Sequence, residues 1–291
     1  IAEAKKGLTG CKIRFPSISV GATENALLAA FSAKGTTTLS NCAIEPEVLD
    51  LINFLKKLGS VIKVIGRKII IAGTGKINEK VNHKVIFDRI EAGTYLVAGA
   101  LMGKKFFIKN IVPKILKIEI ETLKKMGAKI KIKNEKKKYG EKQADIFVKS
   151  QPNLKKINCP SRLNSNLIDE FLIIFLVAAR AKGISTFSNL GELNKKESPR
   201  LKLGSKLLNQ LGIRTKLTKD SIKVFGNPEL DLKKTIRIKK YYKDHRIFMT
   251  SVVAACIFGG KWKIDDADSY KSSFPSFLNI LKKLGYKFKF V

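Results

Sequence analysis

With 291 residues and 44% hydrophobic side chains, the chain is long enough for one large domain or two medium ones with real cores. A formal charge of +33 and a pI near 10.0 would ordinarily point to nucleic acid. Here the lysines are spread along the whole chain, aromatics do not interleave with them, and no zinc-finger, KH or RRM signature occurs, so a nucleic-acid partner is not expected.

Four separated cysteines (Cys11, Cys42, Cys159, Cys256) and two distant histidines lack metal-ligand spacing. They read as thiols of a reducing, cytoplasmic compartment, with no metal and no cofactor implied. The longest apolar run, "FLIIFLVAA" at 171–179, is too short to span a bilayer. The opening "IAEAKKGLTG" is neither a signal peptide nor a translation start, so an N-terminally truncated chain is expected.

Along the chain, an apolar helix that ends in glycine and leads into a strand recurs four times. The copies are "NALLAAFSAKGTTTLSN", "YLVAGALMGKKFFIKN", "FLIIFLVAARAKGISTFSN" and "TSVVAACIFGGKWKIDD". Their glycines, Gly35, Gly103, Gly183 and Gly260, are about 68, 80 and 77 residues apart. After each copy comes a second helix–Gly–strand segment: "VLDLINFLKKLGSVIKVIG", "IEIETLKKMGAKIKI", "LGSKLLNQLGIRTKLT" and "FPSFLNILKKLGYKFKF". Leucines at helical spacing, a glycine that ends the helix and alternation beyond it define a βαβαβ(β) unit. Such units suit an α/β architecture with helices buried in the middle and sheets outside. The stretch 73–84 reads as a linker, and 133–143 as a charged hairpin tip.

Because the chain writes most of its positive charge as lysine, its nine arginines mark candidate bidentate anion contacts. Arg89 ("FDRIEAGT"), Arg200 ("KKESPR") and Arg246 ("KDHR") lie beside helix starts, and Arg162 ("CPSRLNSN") is a fourth candidate; Arg67 and Arg214 read as solvated. "NLIDEF" sets Asp169 and Glu170 before a buried helix, either to complement its dipole, for about 0.5 kcal/mol, or as a base at a cleft. Lys195, Lys196, Glu197 and Arg200 form either a salt-bridged helix start or part of a site. Asp244-His245-Arg246 is either a helix cap or one side of an anion site, and Ser19-Val20-Gly21 is a weak phosphate-loop pattern. Corresponding loops of repeats around an axis converge, so these clusters are expected to meet.

These stretches resemble the enolpyruvyl (carboxyvinyl) transferases. Residues 8–130, with "SVGATENALLAAFSAKGTTTLSNCAIEPEVLDLINFLKKLG" and "DRIEAGTYLVAGAL", look like the UDP-N-acetylglucosamine 1-carboxyvinyltransferases. Residues 144–291, with "NLIDEF", "LGELNKKESPRL" and "KDHRIFMTSVVAA", look like the 3-phosphoshikimate 1-carboxyvinyltransferases (EPSP synthases), the changeover falling near "ETLKKMGAKIKI". The resemblance implies an inside-out α/β barrel of repeated βαβαββ units, four of the usual six being present. One unit would lie in a partial first domain at 1–81 and three in a second at 82–291.

It also implies a cytoplasmic, monomeric transferase moving the enolpyruvyl group of phosphoenolpyruvate to a hydroxyl of 3-phosphoshikimate, with no cofactor. UDP-N-acetylglucosamine is the alternative acceptor, and an inactive fragment of the same lineage the remaining reading. Asp169 would be the base at the reacting hydroxyl, Glu197 the acid/base near the methylene carbon, and Lys196 its neighbour in proton transfer. Arg200, His245 and Arg246 would hold the carboxylate and phosphate of phosphoenolpyruvate, and Ser19, Val20 and Gly21 the phosphate of the acceptor. Arg89 and Arg162 are further possible contacts. Two departures stand out: Pro199 occupies the usual Asp position of the "KESPR" motif, and Lys271 is one position off a lysine of some members.

Overall fold

In the computed structural model, which describes residues 4–74, 80–102, 105–138 and 141–289, the four repeats follow one another along the chain. The first comprises β1 (Lys12–Arg14), α1 (Val20–Ser32), β2 (Thr36–Ser40), α2 (Pro46–Lys57), β3 (Val61–Ile65) and β4 (Lys68–Ala72). Its sheet order is β1-β2-β4-β3, with β1 parallel to β2 and the other pairs antiparallel. Leu27 and Val48 from the helices close against Leu39, Ile69 and Ile71 from the sheet. The alternation in "KIIIA" thus buries every second residue of β4.

The second repeat contains α3 (Arg89–Leu101), β5 (Lys105–Ile111), α4 (Lys117–Lys125), β6 (Lys129–Lys138) and β7 (Glu141–Lys149), in the order β5-β7-β6. The third contains β8 (Asn158–Cys159), α5 (Asn164–Leu167), α6 (Phe171–Arg180), β9 (Gly183–Phe187), α7 (Arg200–Gln210), β10 (Thr215–Leu217) and β11 (Ile222–Gly226). Its order, β8-β9-β11-β10, reproduces the first repeat strand for strand, directions included. The fourth contains β12 (Leu232–Ile238), α8 (His245–Phe258), β13 (Gly259–Ile264) and α9 (Phe277–Lys283), with β12 parallel to β13.

The repeat extends to backbone conformation. Gly35, Gly183 and Gly260 have φ of 87°, 99° and 78° where helix turns into strand, a left-handed region that glycine enters without a Cβ clash. Gly103, their counterpart in the second repeat, lies outside the described residues. Within two residues of the ends of the strands that follow lie Asn41, Asn110, Asn189 and Asp266, all at φ between 53° and 60°. Asn and Asp are the side chains that tolerate this conformation best.

The expected strand in "GYKFKF" is not formed: residues 286–289 alternate in burial but bond to no strand. Alternation sets which side chains face inward, but a strand also requires a neighbour for its backbone groups. Residues 80–88 ahead of α3 form no strand, in line with the linker read at 73–84.

Two compact units result, Ile1–Phe87 and Asp88–Val291. At the centre of the second, α3, α6 and α8 pack on one another and on their own sheets. Every residue of α6 except its last, Arg180, is buried, as its all-round apolar sequence requires. Gly99 lets α3 lie close to its sheet, since a Cβ there would sit 2.4 Å from Val148 Cγ1. In this unit, helices inside and sheets outside give the inside-out α/β arrangement, with three separate sheets among its described residues. No described helix is long and apolar enough to cross a membrane.

Candidate active site

Packing α3, α6 and α8 together in the second unit brings their N-terminal turns into one charged cluster. Asp88 caps α3, its Oδ1 accepting from Ile90 N (2.7 Å) and Glu91 N (3.2 Å). Asp244 caps α8 in the same way, accepting from Arg246 N (2.8 Å) and Ile247 N (3.3 Å). Converging helix N-termini supply partial positive charge, and the side chains around them decide what that charge holds.

Arg200, the first residue of α7, is only 2% exposed. Its Nε donates to Asp244 Oδ2 (2.9 Å) and one terminal nitrogen to Asp169 Oδ1 (3.1 Å), while the other lies 2.5 Å from Glu197 Oε2. Ser198 Oγ adds a 2.7 Å bond to the same Asp244 oxygen. Burial by itself would raise the Asp244 carboxyl; the Ser198 hydroxyl and Arg200 guanidinium outweigh it and hold the group below the usual carboxylate range. Asp244 is therefore both a helix cap and the anchor of a buried guanidinium.

Asp169 retains 23% exposure and has Lys196 Nζ at 3.9 Å; Lys196 also pairs with Glu192 at 3.2 Å. Glu197 is 59% exposed. The structure thus gathers Asp169, Lys196, Glu197 and Arg200 in one network, with the base candidate open to solvent and its arginine buried behind it.

His245 and Arg246 form the next turn. Burial, then the neighbouring Arg246 and Arg200 charges, lower the His245 pKa and keep the imidazole neutral at pH 7. Burial likewise lowers the Arg246 pKa, opposed by the nearby Asp169 and Glu170 carboxylates. Among the described residues, Arg246 Nε is buried without a hydrogen-bond partner. A guanidinium N–H in that state, amid helix N-termini, is suited to a ligand anion.

Arg89 sits behind this group, at the start of α3. One terminal nitrogen donates to the Asn166 carbonyl (3.1 Å) and to Glu170 Oε1 (3.4 Å), and lies 3.6 Å from Glu119 Oε1. All three charged side chains are nearly inaccessible. Burial pushes the Glu170 carboxyl up to about 8; Arg89 opposes this and Glu119 adds to it. Arg89 is thus engaged by protein groups.

Arg162 is exposed in the one-turn helix Ser161–Leu163 and makes no ion pair among the described residues. Ser19, Val20 and Gly21 open α1 in the other unit, where Ser19 Oγ accepts from Ala22 N at 3.3 Å. Sequence reasoning singled out neither Glu119 nor Ser198, and it saw the Asp244 cap without its bond to Arg200. No sequence signal marks Glu119 or Ser198, since each meets Arg89 or Asp244 only through the packing of separate elements.

The profile of the EPSP synthase (3-phosphoshikimate 1-carboxyvinyltransferase) family matches residues 1–281. The chain belongs to the enolpyruvyl transferase family. It is 32% identical to UDP-N-acetylglucosamine 1-carboxyvinyltransferase of Pelagibacter ubique, over 99% of this chain and 64% of that protein. It is also 32% identical to 3-phosphoshikimate 1-carboxyvinyltransferase of Thermodesulfovibrio yellowstonii, over 95% of this chain and 64% of that protein. The crystal structure of EPSP synthase from Acinetobacter baumannii superposes with a TM-score of 0.79 at 28% identity, covering 95% of this chain and 63% of that one. Relatives of both names therefore align with nearly the whole enolpyruvyl transferase chain, which spans just under two thirds of their length.

Proposed function

We propose that the chain carries out carboxyvinyl transfer, moving the enolpyruvyl group of phosphoenolpyruvate to a hydroxyl of 3-phosphoshikimate with release of phosphate. The observation that carries this reading is the buried Arg246 Nε at the convergence of three helix N-termini, beside the Arg200–Asp169 pair. Arg246, with neutral His245 beside it, receives the phosphate and carboxylate of phosphoenolpyruvate, and Arg200 holds Asp169 in place. Asp169 takes the proton of the acceptor hydroxyl as its oxygen attacks C2. A proton reaches C3 from Glu197, with Lys196 alongside, giving a tetrahedral ketal. In the second step C3 returns a proton, the C2–O bond to phosphate breaks, and the enol ether and inorganic phosphate leave. Charge on the departing phosphate is met by fixed cations already in place.

Ser19, Val20 and Gly21 at the start of α1 would hold the acceptor's phosphate. This reading takes residues 1–81 as one repeat of a first domain and 82–291 as the three repeats of a second, in a cytoplasmic monomer. UDP-N-acetylglucosamine is the second acceptor, favoured by the name of the Pelagibacter relative. Phosphate release from phosphoenolpyruvate, measured with each acceptor in turn, decides between them. Asp169→Ala and Arg246→Ala should each slow release at least about a hundredfold. A folded chain that releases no phosphate with either acceptor overturns the proposal.

A further inference from the structure

In three repeats the segment that leads into the first long helix (α1, α6 or α8) is tied to a turn that comes later in the chain. The chain leaves β1, β8 or β12, runs through that helix and returns along β2, β9 or β13, parallel to the strand it left. The turn in question is the left-handed one that follows the returning strand, at Asn41, Asn189 or Asp266. In the first repeat Asn41 Nδ2 donates to the Phe15 carbonyl at 2.9 Å, and Phe15 N donates to the Ser40 carbonyl at 3.0 Å.

The third and fourth repeats make the tie from the opposite side, each with a different side chain. Asn164 Nδ2, at the start of α5, donates to the carbonyls of Ser188 (2.8 Å) and Asn189 (2.9 Å). The Tyr241 hydroxyl donates to the carbonyl of Asp265 and, at 3.3 Å, to that of Asp266. Ser188-Asn189 and Asp265-Asp266 are equivalent pairs, each the residue after the strand and the left-handed one beyond it. In the second repeat the described residues ahead of α3 form no strand, and Asn110 N bonds instead to Asp145 of β7 at 3.0 Å.

Two of the tied segments carry the candidate site. Asn164 precedes Asp169, and Tyr241 precedes Asp244, His245 and Arg246. The second segment has particular need of a tie. Lys240, Tyr242 and Lys243 have φ of 53°, 59° and 53°, a region that residues with a Cβ occupy only where the surroundings impose it. Within the segment, Asp244 N donates to the Tyr241 carbonyl at 3.0 Å. Tyr241 itself is 1% exposed, so its ring is fixed in the core and its hydroxyl fixes the turn. Any shift of Asp244 would reach both Arg200 Nε and the capped Arg246 N.

We propose that Tyr241 and Asn164 are positioning residues for the two reactants. The inference rests on the carboxyvinyl-transfer reading above. Tyr241 sets His245 and Arg246 for phosphoenolpyruvate, and Asn164 sets Asp169 for the acceptor hydroxyl. Each acts through the residues that follow it in the chain, not by contact with substrate. A displacement of about 1 Å at such groups is enough to weaken their grip, which is why two bonds to backbone carbonyls matter to the reaction.

The test compares Tyr241→Phe, which removes only the hydroxyl, with Asn164→Ala. Tyr242→Phe is the control, since Tyr242 is 70% exposed in the same segment. Circular dichroism and melting midpoints establish that each variant is folded at the assay temperature. Tyr241→Phe should raise the Michaelis constant for phosphoenolpyruvate about tenfold and spare that of the acceptor. Asn164→Ala should raise the constant for the acceptor about tenfold and spare that of phosphoenolpyruvate. Tyr242→Phe should move neither. A loss of stability alone lowers the active fraction, and with it kcat, but cannot produce this crossed pattern.

Amide hydrogen exchange without substrates reads the ties apart from activity. Tyr241→Phe should quicken exchange at Arg246 and Ile247, whose N–H groups Asp244 caps. Asn164→Ala should quicken it at Glu170, whose N–H bonds to the Leu167 carbonyl, and each variant should spare the other's amides. Unchanged exchange in both variants overturns the proposal. So does altered exchange with both Michaelis constants unmoved, or a shift of both constants together in each variant. A parent chain that turns over neither acceptor defeats the reaction reading by itself, and exchange then decides whether the ties hold these turns.

Discussion

Two buried arginines at helix starts, Arg89 and Arg200, each sit between carboxylates, yet their surroundings have opposite effects. Arg200 is close to its partners, at 2.9 Å from Asp244 and 3.1 Å from Asp169, and Asp244 is held below its ordinary range. Arg89 is 3.4 Å from Glu170 and 3.6 Å from Glu119, and Glu170 is pushed up to about 8. At Asp244 the Ser198 hydroxyl and the Arg200 guanidinium together overcome desolvation; at Glu170 burial, reinforced by the Glu119 charge, outweighs Arg89. The first cluster keeps Asp244 ionised with Asp169 half-buried beside it, whereas the second is closed and its Glu170 holds a proton at neutral pH. Composition would not have distinguished them.

The largest effect should come from breaking the tighter pair. Arg200→Ala leaves Asp244 buried without its cation, and unfolding by urea should register a loss of about 3–5 kcal/mol. Asp244→Asn breaks the same pair from the other side and should change its response to acid. Because the Asp244 pKa is lowered by folding, its contribution is present above the unfolded value near 3.8 and is lost as pH falls through the folded one. The variant should therefore lose part of the acid-side slope of stability. An unaltered slope would mean that Arg200 does not stabilise the Asp244 charge.

Next comes the contrast between engaged and unengaged guanidinium groups. Arg246→Ala should reduce turnover about 10²–10³-fold, the scale expected for removing a donor aimed at developing charge. Its circular dichroism and melting midpoint should change little, because its Nε bonds to nothing in the protein among the described residues. Arg89→Lys should do the reverse, lowering the midpoint while sparing the Michaelis constant for phosphoenolpyruvate, since its fork already holds Asn166 and Glu170. If Arg89→Lys instead raised that constant as much as Arg246→Lys, Arg89 would be a substrate contact.

Much of this was legible in the sequence. Leucine spacing and terminal glycines located the helices, because a helix is decided locally by side-chain period and cap. Asn41, Asn110, Asn189 and Asp266 repeat a backbone turn that could be seen only as a recurring letter. The strand expected in "GYKFKF" is not formed, because pairing is not a local property. In the site, scarcity of arginine led to Arg89, Arg200 and Arg246, but it could not distinguish a guanidinium engaged by protein from one left open. Glu119 was invisible for a related reason. "KIEIETLKK" reads as an exposed salt-bridged helix, and only packing of α4 against α3 buries that one carboxylate.

Glu170→Gln sharpens the comparison more gently, by changing a slope instead of breaking a contact. Folding raises the Glu170 pKa from an ordinary value of 4.5 to about 8, so the folded state binds more protons between these two values. Its contribution to stability is therefore fully present below about 4.5 and is lost as pH rises through 8. Glutamine has the shape of the protonated acid, keeps an oxygen for Arg89 and cannot ionise. Stability of the variant should match that of the parent at pH 5 and exceed it at pH 9, with the difference opening across that window. Asp169 lies next in sequence but belongs to the other arginine, so the pH profile of phosphate release should keep its shape. A profile that shifted with Glu170→Gln would mean that the two clusters titrate together, and that the closed one reports to the open one.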